Sequence, residues 1–501
     1  MLPADADYDQ EYTEFRPIFS YFRPPGAGVI EGAPHLAELI WPGENYSGME
    51  TTPGRQWRLI DANADALRAA IEDLLGYATY DEAVAAGGRS NFIVGGFDRN
   101  DVGCLENFNQ IKQNAECANQ FADLTMAAMT NVHAYVPRIL DDNERDVLKC
   151  WKALRLHEVT QHPEFPGFFG VPDSLDNPNT LVSGFQCLHL GHYPGYKHAS
   201  GQKNGRAIPP VVWVSLEEDG APEWRANISC QAASWLADNY HDFAIDQLES
   251  GQQLWDYVLA ISAASVVQEG METYTGYELN IPFPQNYETF QQVSNLGEAM
   301  RLLQHPSSLP DTNDYSQLQQ AVISLIQIEL VNNDGDEIQI GDFHIQNMKQ
   351  PTSITSRNPA REGMVEWNEQ EDKFVALCQA SEFNADELGE ILGPPQRVCI
   401  DHTGQTQWIT GVPLNVLNFT LGNRKVLQNW ISLHSDLVPE ESLMHATWDD
   451  AIRTPWFREL TMVIRNITIL MLLRPRINDF ATTVIDDLLP WVVEVQDEEE
   501  E

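Results

Sequence analysis

Cys187, His189, His192 and His198 lie close enough along the chain to suggest metal chemistry. Thiolate and imidazole are zinc ligands, and four of them can close a tetrahedral site. The spacing CxHxxHxxxxxH fits no standard zinc motif, so ordinary loop histidines are the better reading and no metal site is assigned. Glu371-Asp372-Lys373 spells the second half of a nuclease motif in which two acids and a lysine surround a metal. The Pro-Asp that should precede it is missing, since Pro310-Asp311 is too far upstream. The Asn/Asp-Pro-Pro-aromatic grip of DNA amino-methyltransferases does not occur, nor do GxxxxGK[ST], GxSxG or HExxH. A calcium loop over NNDGDEIQIGD fails because its first ligand position falls on an apolar residue. No catalytic residues and no cofactor are therefore expected, and an activity of the chain's own is not expected, although an unrecognised hydrolase stays open.

The elements that would position any site follow from periodicity. Apolar spacing predicts helices over 61–75, 107–131, 142–155, 245–267, 289–304 and 424–433. A further helix is expected over 456–473, stopped by Arg474-Pro475. Short strands are expected at 210–216, 397–400 and 407–409. The runs 324–331 and 336–345 alternate with period two around Asn333-Asp334-Gly335, which predicts a hairpin. Residues 1–60, rich in Pro, Gly and aromatics, read as irregular chain packed on a core. The fold class expected is α+β: a mixed multi-domain chain with helical segments and short, largely antiparallel sheets.

Composition bounds the function. The chain has 501 residues and a net charge of −44, from 74 acids against 30 Lys and Arg. That excess repels bare nucleic acid and favours solubility. A high-salt host is one explanation of the acid, although the many Asn, Gln and Ile residues sit poorly with it. Seven cysteines, with no CxxC, point to reduced thiols in a cytoplasmic setting. The acidic start MLPADADYDQEY carries no apolar signal core, and no run is apolar enough to span a membrane.

The acid is unevenly placed. No Asp or Glu occurs over 177–216, 343–361 or 402–435. The first stretch carries Lys197, Lys203, Arg206 and three histidines, the second Lys349, Arg357 and Arg361, and the third Arg424 and Lys425. Burial explains part of the third stretch, which is rich in Val, Leu and Trp. It explains less of HYPGYKHASGQKNGR, whose polar, Gly-rich composition suits contact with phosphates through side chains and backbone N–H groups. An anion-binding surface and a plain loop are both consistent with it.

Gly411-Val412-Pro413, Val416, Phe419, Gly422, Val426, Leu427 and Trp430 resemble a run near the end of type ISP restriction–modification enzymes, in their C-terminal specificity region. The Arg397-Val398-Cys399-Ile400 strand before it is similar, as is Trp456 with Glu459-Leu460-Thr461 after it. Upstream, Trp255–Ile261, then Ile281-Pro282-Phe283-Pro284 with Phe290, Leu296, Gly297 and Leu303, resemble segments of the same enzymes in the same order. The stretch 192–209 also looks like one of their segments, and the resemblance covers about 184–489. The chain departs from the pattern at Asn423-Arg424 and in an additional segment over 306–392, and it carries none of the family's methyltransferase, helicase or nuclease motifs.

The resemblance implies a non-catalytic, DNA-binding specificity-type module linked to restriction–modification or anti-phage defence, with duplex DNA as partner and catalysis left to a separate subunit. Phosphate contacts would come from Lys197, Lys203, Arg206, Lys349, Arg357, Arg361, Arg424 and Lys425, and base contacts from Gln202, Asn204 and Gln405. Three regions are expected: a mostly helical 1–160, an α+β 161–310 with the Gly/His/Lys loop and the long apolar helix, and a specificity-like 311–501. Two other readings remain open, a capsid-like assembly subunit and an acidic DNA mimic. Self-association is compatible with all three.

Overall fold

The computed structural model describes residues 13–15, 21–23, 30–41, 46–47, 60–61, 64–85, 121–127, 129–135, 165, 167–172, 187–194, 205–214, 223–241, 243, 248–268, 279–305, 316–332, 355–356, 371–402, 405–422, 424–427, 429–430 and 450–492. The fold is α+β. Its helices are α1 (Leu36–Leu39), α2 (Ala64–Gly76), α3 (Tyr80–Ala85), α4 (Cys230–Asn239), α5 (Leu248–Ser262), α6 (Ser265–Gln268), α7 (Tyr287–Leu303), α8 (Ser316–Leu325), α9 (Glu371–Ser381), α10 (Ala385–Leu392), α11 (Leu414–Asn418) and α12 (Asp450–Asp486).

The core is helical, and α5 is its centre. From Leu254 to Ser262 every residue of α5 is buried, as befits a helix surrounded by others rather than lying on a surface. The neighbouring α7 crosses it at Gly297, where an added Cβ would sit 1.7 Å from the Asp256 carbonyl oxygen. Only glycine permits that approach. Rings fill the space beside the crossing: Tyr257 stacks on Phe290 with centroids 4.7 Å apart and on Phe283 at 5.2 Å. The Ile281–Pro284 segment carries Phe283 into this cluster. Its carbonyls are used as acceptors, Pro282 from the Tyr257 hydroxyl and Pro284 from the Tyr240 hydroxyl.

The long α12 packs along α7 and α8. Asn466 donates to the Leu303 carbonyl at 2.9 Å, and Arg465 donates to the Ile326 carbonyl at 2.7 Å. Both bonds satisfy carbonyls left open where α7 and α8 end. Other ends are capped from the sequence itself. Ser229 Oγ accepts from the Ala232 N–H at 3.1 Å, and Asn384 with Glu387 forms a capping box on α10. The segments flanking the core return to it: Trp491 N–H donates to the Gly32 carbonyl at 2.6 Å and Leu489 N–H to the Phe283 carbonyl at 2.8 Å.

Among the described residues there are three four-stranded sheets and the strand pairs 211–214/223–226, 420–421/424–425 and 13–15/21–23. One sheet runs 46–47, 205–208, 168–172, 188–190, and another 60–61, 130–135, 121–127, 193–194. The third runs 327–332, 405–413, 395–402, 355–356. All neighbours are antiparallel except Phe121–Ala127 with Tyr193–Pro194, which run parallel. No helix among the described residues is long and apolar enough to cross a membrane.

Several expectations hold. The helix expected over 245–267 is α5 plus α6, broken at Ala263-Ala264, and that over 289–304 is α7. The helix expected over 61–75 forms as α2, with Asp61 in a strand before it. Strands occur at Val211–Val214, Pro395–His402 and Gln405–Pro413.

Others are corrected. Of the helix expected over 107–131, 107–120 lie outside the described residues, and beyond them the structure has the strands Phe121–Ala127 and Thr130–Tyr135, with Met129 between them in the left-handed region at φ 58°. The Ala, Leu and Met there favour helix locally, but cross-strand pairing decides, as it does for short apolar runs that fit either period. The helix expected to stop at Arg474-Pro475 continues to Asp486. Proline inside a helix costs about 3 kcal/mol. Burial of Ile477, Ala481 and Val484 beyond it offsets that. Arg424 and Lys425, expected to open a helix, form a strand instead.

Of the expected hairpin, Gln327–Asn332 is a strand, and its described neighbour is Gln405–Pro413. The turn at Asn333 and the return arm 336–345 lie outside the described residues, as does the helix expected over 142–155.

Candidate functional site

The run from Gly411 to Trp430 folds into one compact unit. Gly411 and Gly422 adopt φ of 69° and 59°, where a side chain would be strained. Between them Pro413 precedes α11, and Leu414 N–H donates to the Pro394 carbonyl at 3.0 Å. Asn415 Nδ2 donates to the Ile391 carbonyl at 2.9 Å and so closes the end of α10. Val416, Phe419, Leu421, Val426, Leu427 and Trp430 are all buried. Trp430 Nε1 donates to Glu459 Oε1 at 3.3 Å, and burial raises the Glu459 carboxyl's pKa against the lowering effect of that bond. These buried positions are the anchors of the run.

What the anchors hold at the surface is a tight ribbon. Thr420 pairs with Lys425 and Leu421 with Arg424. Lys425 is exposed, and its ammonium donates to Asn418 Oδ1 at 3.1 Å. Arg206 lies half-buried on Gly205–Ile208, opposite Val171 on one side and Ser47 on the other. Gln405 opens the strand Gln405–Pro413, opposite both Asn332 and His402. Of the residues expected to touch DNA, the structure brings together Arg424 and Lys425 on one strand. It places Arg206 and Gln405 in two further sheets. Lys197, Gln202, Lys203, Asn204, Lys349, Arg357 and Arg361 lie outside the described residues.

A buried polar cluster was not foreseen. Arg301, at the end of α7, donates through Nε to Asp256 Oδ1 at 2.7 Å and through Nη2 to Oδ2 at 3.1 Å. Gln252 Nε2 donates to Asp256 Oδ1 at 2.8 Å. Asp256 is 5 % exposed, and burial raises its pKa against the lowering effect of these bonds. The pair borders a small pocket walled by Phe168, Phe169 and Trp255, with His189 beside it. Its evident work is to clamp α5 to α7, since both carboxylate oxygens are engaged by the clamp. The signal in the sequence was a lone acid inside the apolar run LWDYVLAI.

Of the histidines expected in loops, His192 does lie in the bend between Leu188–Leu190 and Tyr193–Pro194, whereas His189 does not. His189 is a buried residue of the strand Leu188–Leu190, and its N–H donates to Gln304 Oε1 at 2.6 Å. Burial above all, with help from Arg301, His305 and His192, holds its pKa well below the usual imidazole range. His192 N–H donates to Thr125 Oγ1 at 3.1 Å, and its ring meets that of His305 edge-on at 5.6 Å. Burial lowers the pKa of both rings. Nearby, Asp123 bonds His133 at 2.7 Å, which lowers the Asp123 pKa. Cys187 is buried and its thiol is pushed up to about 12, which disfavours the thiolate that zinc requires. His198 lies outside the described residues. Among the described residues no group of three or more His, Cys, Asp and Glu could hold a metal ion.

No family model and no curated protein matches the chain. Solved structures do. A DrdV–DNA complex determined by cryo-electron microscopy superposes with a TM-score of 0.46 at 13% identity, over 87% of this chain and 35% of that one. The ATP-dependent type ISP restriction–modification enzyme LlaBIII bound to DNA gives 0.45 at 11%, over 93% and 25%. A nuclease-deletion mutant of the type ISP enzyme LlaGI, in complex with a DNA substrate mimic, gives 0.41 at 10%, over 91% and 28%. The chain thus spans between a quarter and about a third of the length of the chains it is similar to.

Proposed function

We propose that the chain is a non-catalytic, DNA-binding specificity-type module linked to restriction–modification or anti-phage defence, working with a separate catalytic subunit. The observation that carries this reading is the 411–430 unit. Val416, Phe419, Leu421, Val426, Leu427 and Trp430 are buried in it, its two glycines take left-handed turns, and Lys425 is exposed on a ribbon with Arg424. That ribbon belongs to a stretch without any Asp or Glu, in a chain whose net charge is −44. Neighbouring cations on a tight ribbon, one position on each of its faces and both clear of acid in their own segment, suit a phosphate backbone. Arg206, Lys197, Lys203, Lys349, Arg357 and Arg361 would add phosphate contacts, and Gln405, Gln202 and Asn204 base contacts.

Fluorescence anisotropy with a mixed-sequence duplex, titrated at low and moderate salt, tests the reading. Binding should weaken as salt rises, with a slope of about −0.9 per phosphate neutralised. The double variant Arg424→Glu, Lys425→Glu should weaken binding and flatten that slope. Absence of binding by the unmodified chain at low salt, or binding indifferent to salt, would overturn it.

A further inference from the structure

The third sheet ends in a level row. Asn332 pairs with Gln405, and Gln405 pairs on its other side with His402. Residues directly opposite in antiparallel strands share a face. Asn332, Gln405 and His402 therefore stand side by side across three strands. The link between the two longest strands is also at this end, since only Thr403-Gly404 separates His402 from Gln405.

Composition changes along that face. Four residues in from the end of each of these three strands the row is Ile328, Ile409 and Val398, all aliphatic, with Ser356 of the edge strand beyond Val398, and two residues in it is Leu330, Gln407 and Ile400. At the end it is Asn, Gln and His, with no aliphatic residue and no acid. Asp401 pairs with Thr406 and so belongs to the opposite face. The body of the strand Gln405–Pro413 is anchored by α8, α11 and α12. An apolar base and a polar end describe a ribbon whose end is made to meet something that hydrogen-bonds.

The chemistry of the row narrows what that is. Asn and Gln each offer a paired donor and acceptor, which matches adenine N6 and N7, and an imidazole N–H can donate to guanine. Three strands spaced about 4.8 Å apart place the row over roughly 10 Å, the length of about three base steps. The end row adds no carboxylate, and it opens the acid-free stretch 402–435. We propose that Asn332, Gln405 and His402 form a base-reading row, carried into the major groove of duplex DNA by the end of this sheet. The proposal rests on the DNA-binding reading and assigns its specificity to one place.

Selection of the full chain against a randomised duplex library supplies the test. The unmodified chain should enrich a short preferred sequence. Asn332→Ala, Gln405→Ala and His402→Ala should each cut the preference for the selected duplex over a scrambled one by about 10-fold or more. Their salt slopes should not change, because the row carries no fixed charge. Thr406→Ala, on the opposite face, should keep the preference. Circular dichroism checks that each variant stays folded, and Asn332→Gln and Gln405→Asn serve where an alanine does not. If the chain binds DNA and selects a sequence, but the row variants keep the preference, this assignment falls while DNA binding stands. If it binds DNA without selecting any sequence, the assignment also falls. If it binds no DNA, both readings fall together.

Discussion

Gly297 and Asp256 show how closely single residues set this core. The α5–α7 crossing leaves no room for a methyl group, because a Cβ at 297 would overlap the Asp256 carbonyl at 1.7 Å. Gly297→Ala should therefore cost roughly 1–3 kcal/mol or more, read as a lower midpoint in urea. The wild-type midpoint in that variant would show that the helices separate freely. One turn further along, the Asp256–Arg301 pair is largely removed from water, with side chains 7% and 16% exposed. Removing one partner strands the other charge, so Arg301→Met should cost about 3–5 kcal/mol. The double variant Asp256→Leu, Arg301→Met should recover much of that, because two apolar side chains leave nothing unpaired. A double variant less stable than the single one would contradict the desolvation account.

At the scale of elements, the junction among Phe121–Ala127, Leu188–Leu190 and the end of α7 is built on histidines held neutral. Burial lowers the pKa values of His189, His192 and His305 from the ordinary 6.5. Below that value the unfolded chain binds more protons at these sites than the folded one, so unfolding stability rises with pH. The stability they support is complete above about 6.5 and is lost as pH falls through the lowered folded values. The groups around them are Asp123 and His133 from the sheet, and Arg301, with Asp256 paired to it, from the helices. Asp123, with its lowered pKa, acts in the same direction at more acid pH. Asp256, with its raised pKa, acts in the opposite direction in the carboxylate range. Thermal midpoints should fall between about pH 7.5 and 5.5, and His189→Gln with His305→Gln should flatten that fall. An unchanged slope in the double variant would remove the histidines from the account.

For the molecule as a whole the dominant quantity is the net charge of −44. Self-repulsion of that size opposes compaction and is screened by salt, the Debye length shrinking from about 10 Å at 0.1 M to 3 Å at 1 M. The thermal midpoint should therefore rise as sodium chloride is raised over about 0.05–0.5 M, while affinity for a duplex falls over the same interval. A midpoint indifferent to salt would mean that the acids lie too far apart to matter. The division into 1–160, 161–310 and 311–501 is proposed on the same scale. Limited proteolysis should release fragments ending near 160 and 310, and cleavage confined to other places would replace those boundaries.

What the sequence alone determined was whatever depends on neighbours along the chain. Period 3.6 located α5, α7 and about half of α12; period two located Gln327–Asn332 and the strands near 397 and 407. The acid-free stretch 402–435 pointed to Arg424, Lys425 and Gln405 before their places in the fold were known. Tertiary structure decided what depends on partners distant in sequence. Pairing with Thr130–Tyr135 made Phe121–Ala127 a strand against its local preference, and packing carried α12 past Pro475. Arg301 reaches Asp256 across 45 residues, and the His402–Gln405–Asn332 row exists only because three strands share a register. Periodicity records which side of an element is apolar. Which element lies against that side is settled by burial and cross-strand hydrogen bonding summed over the whole chain, and that sum is not written in any one segment.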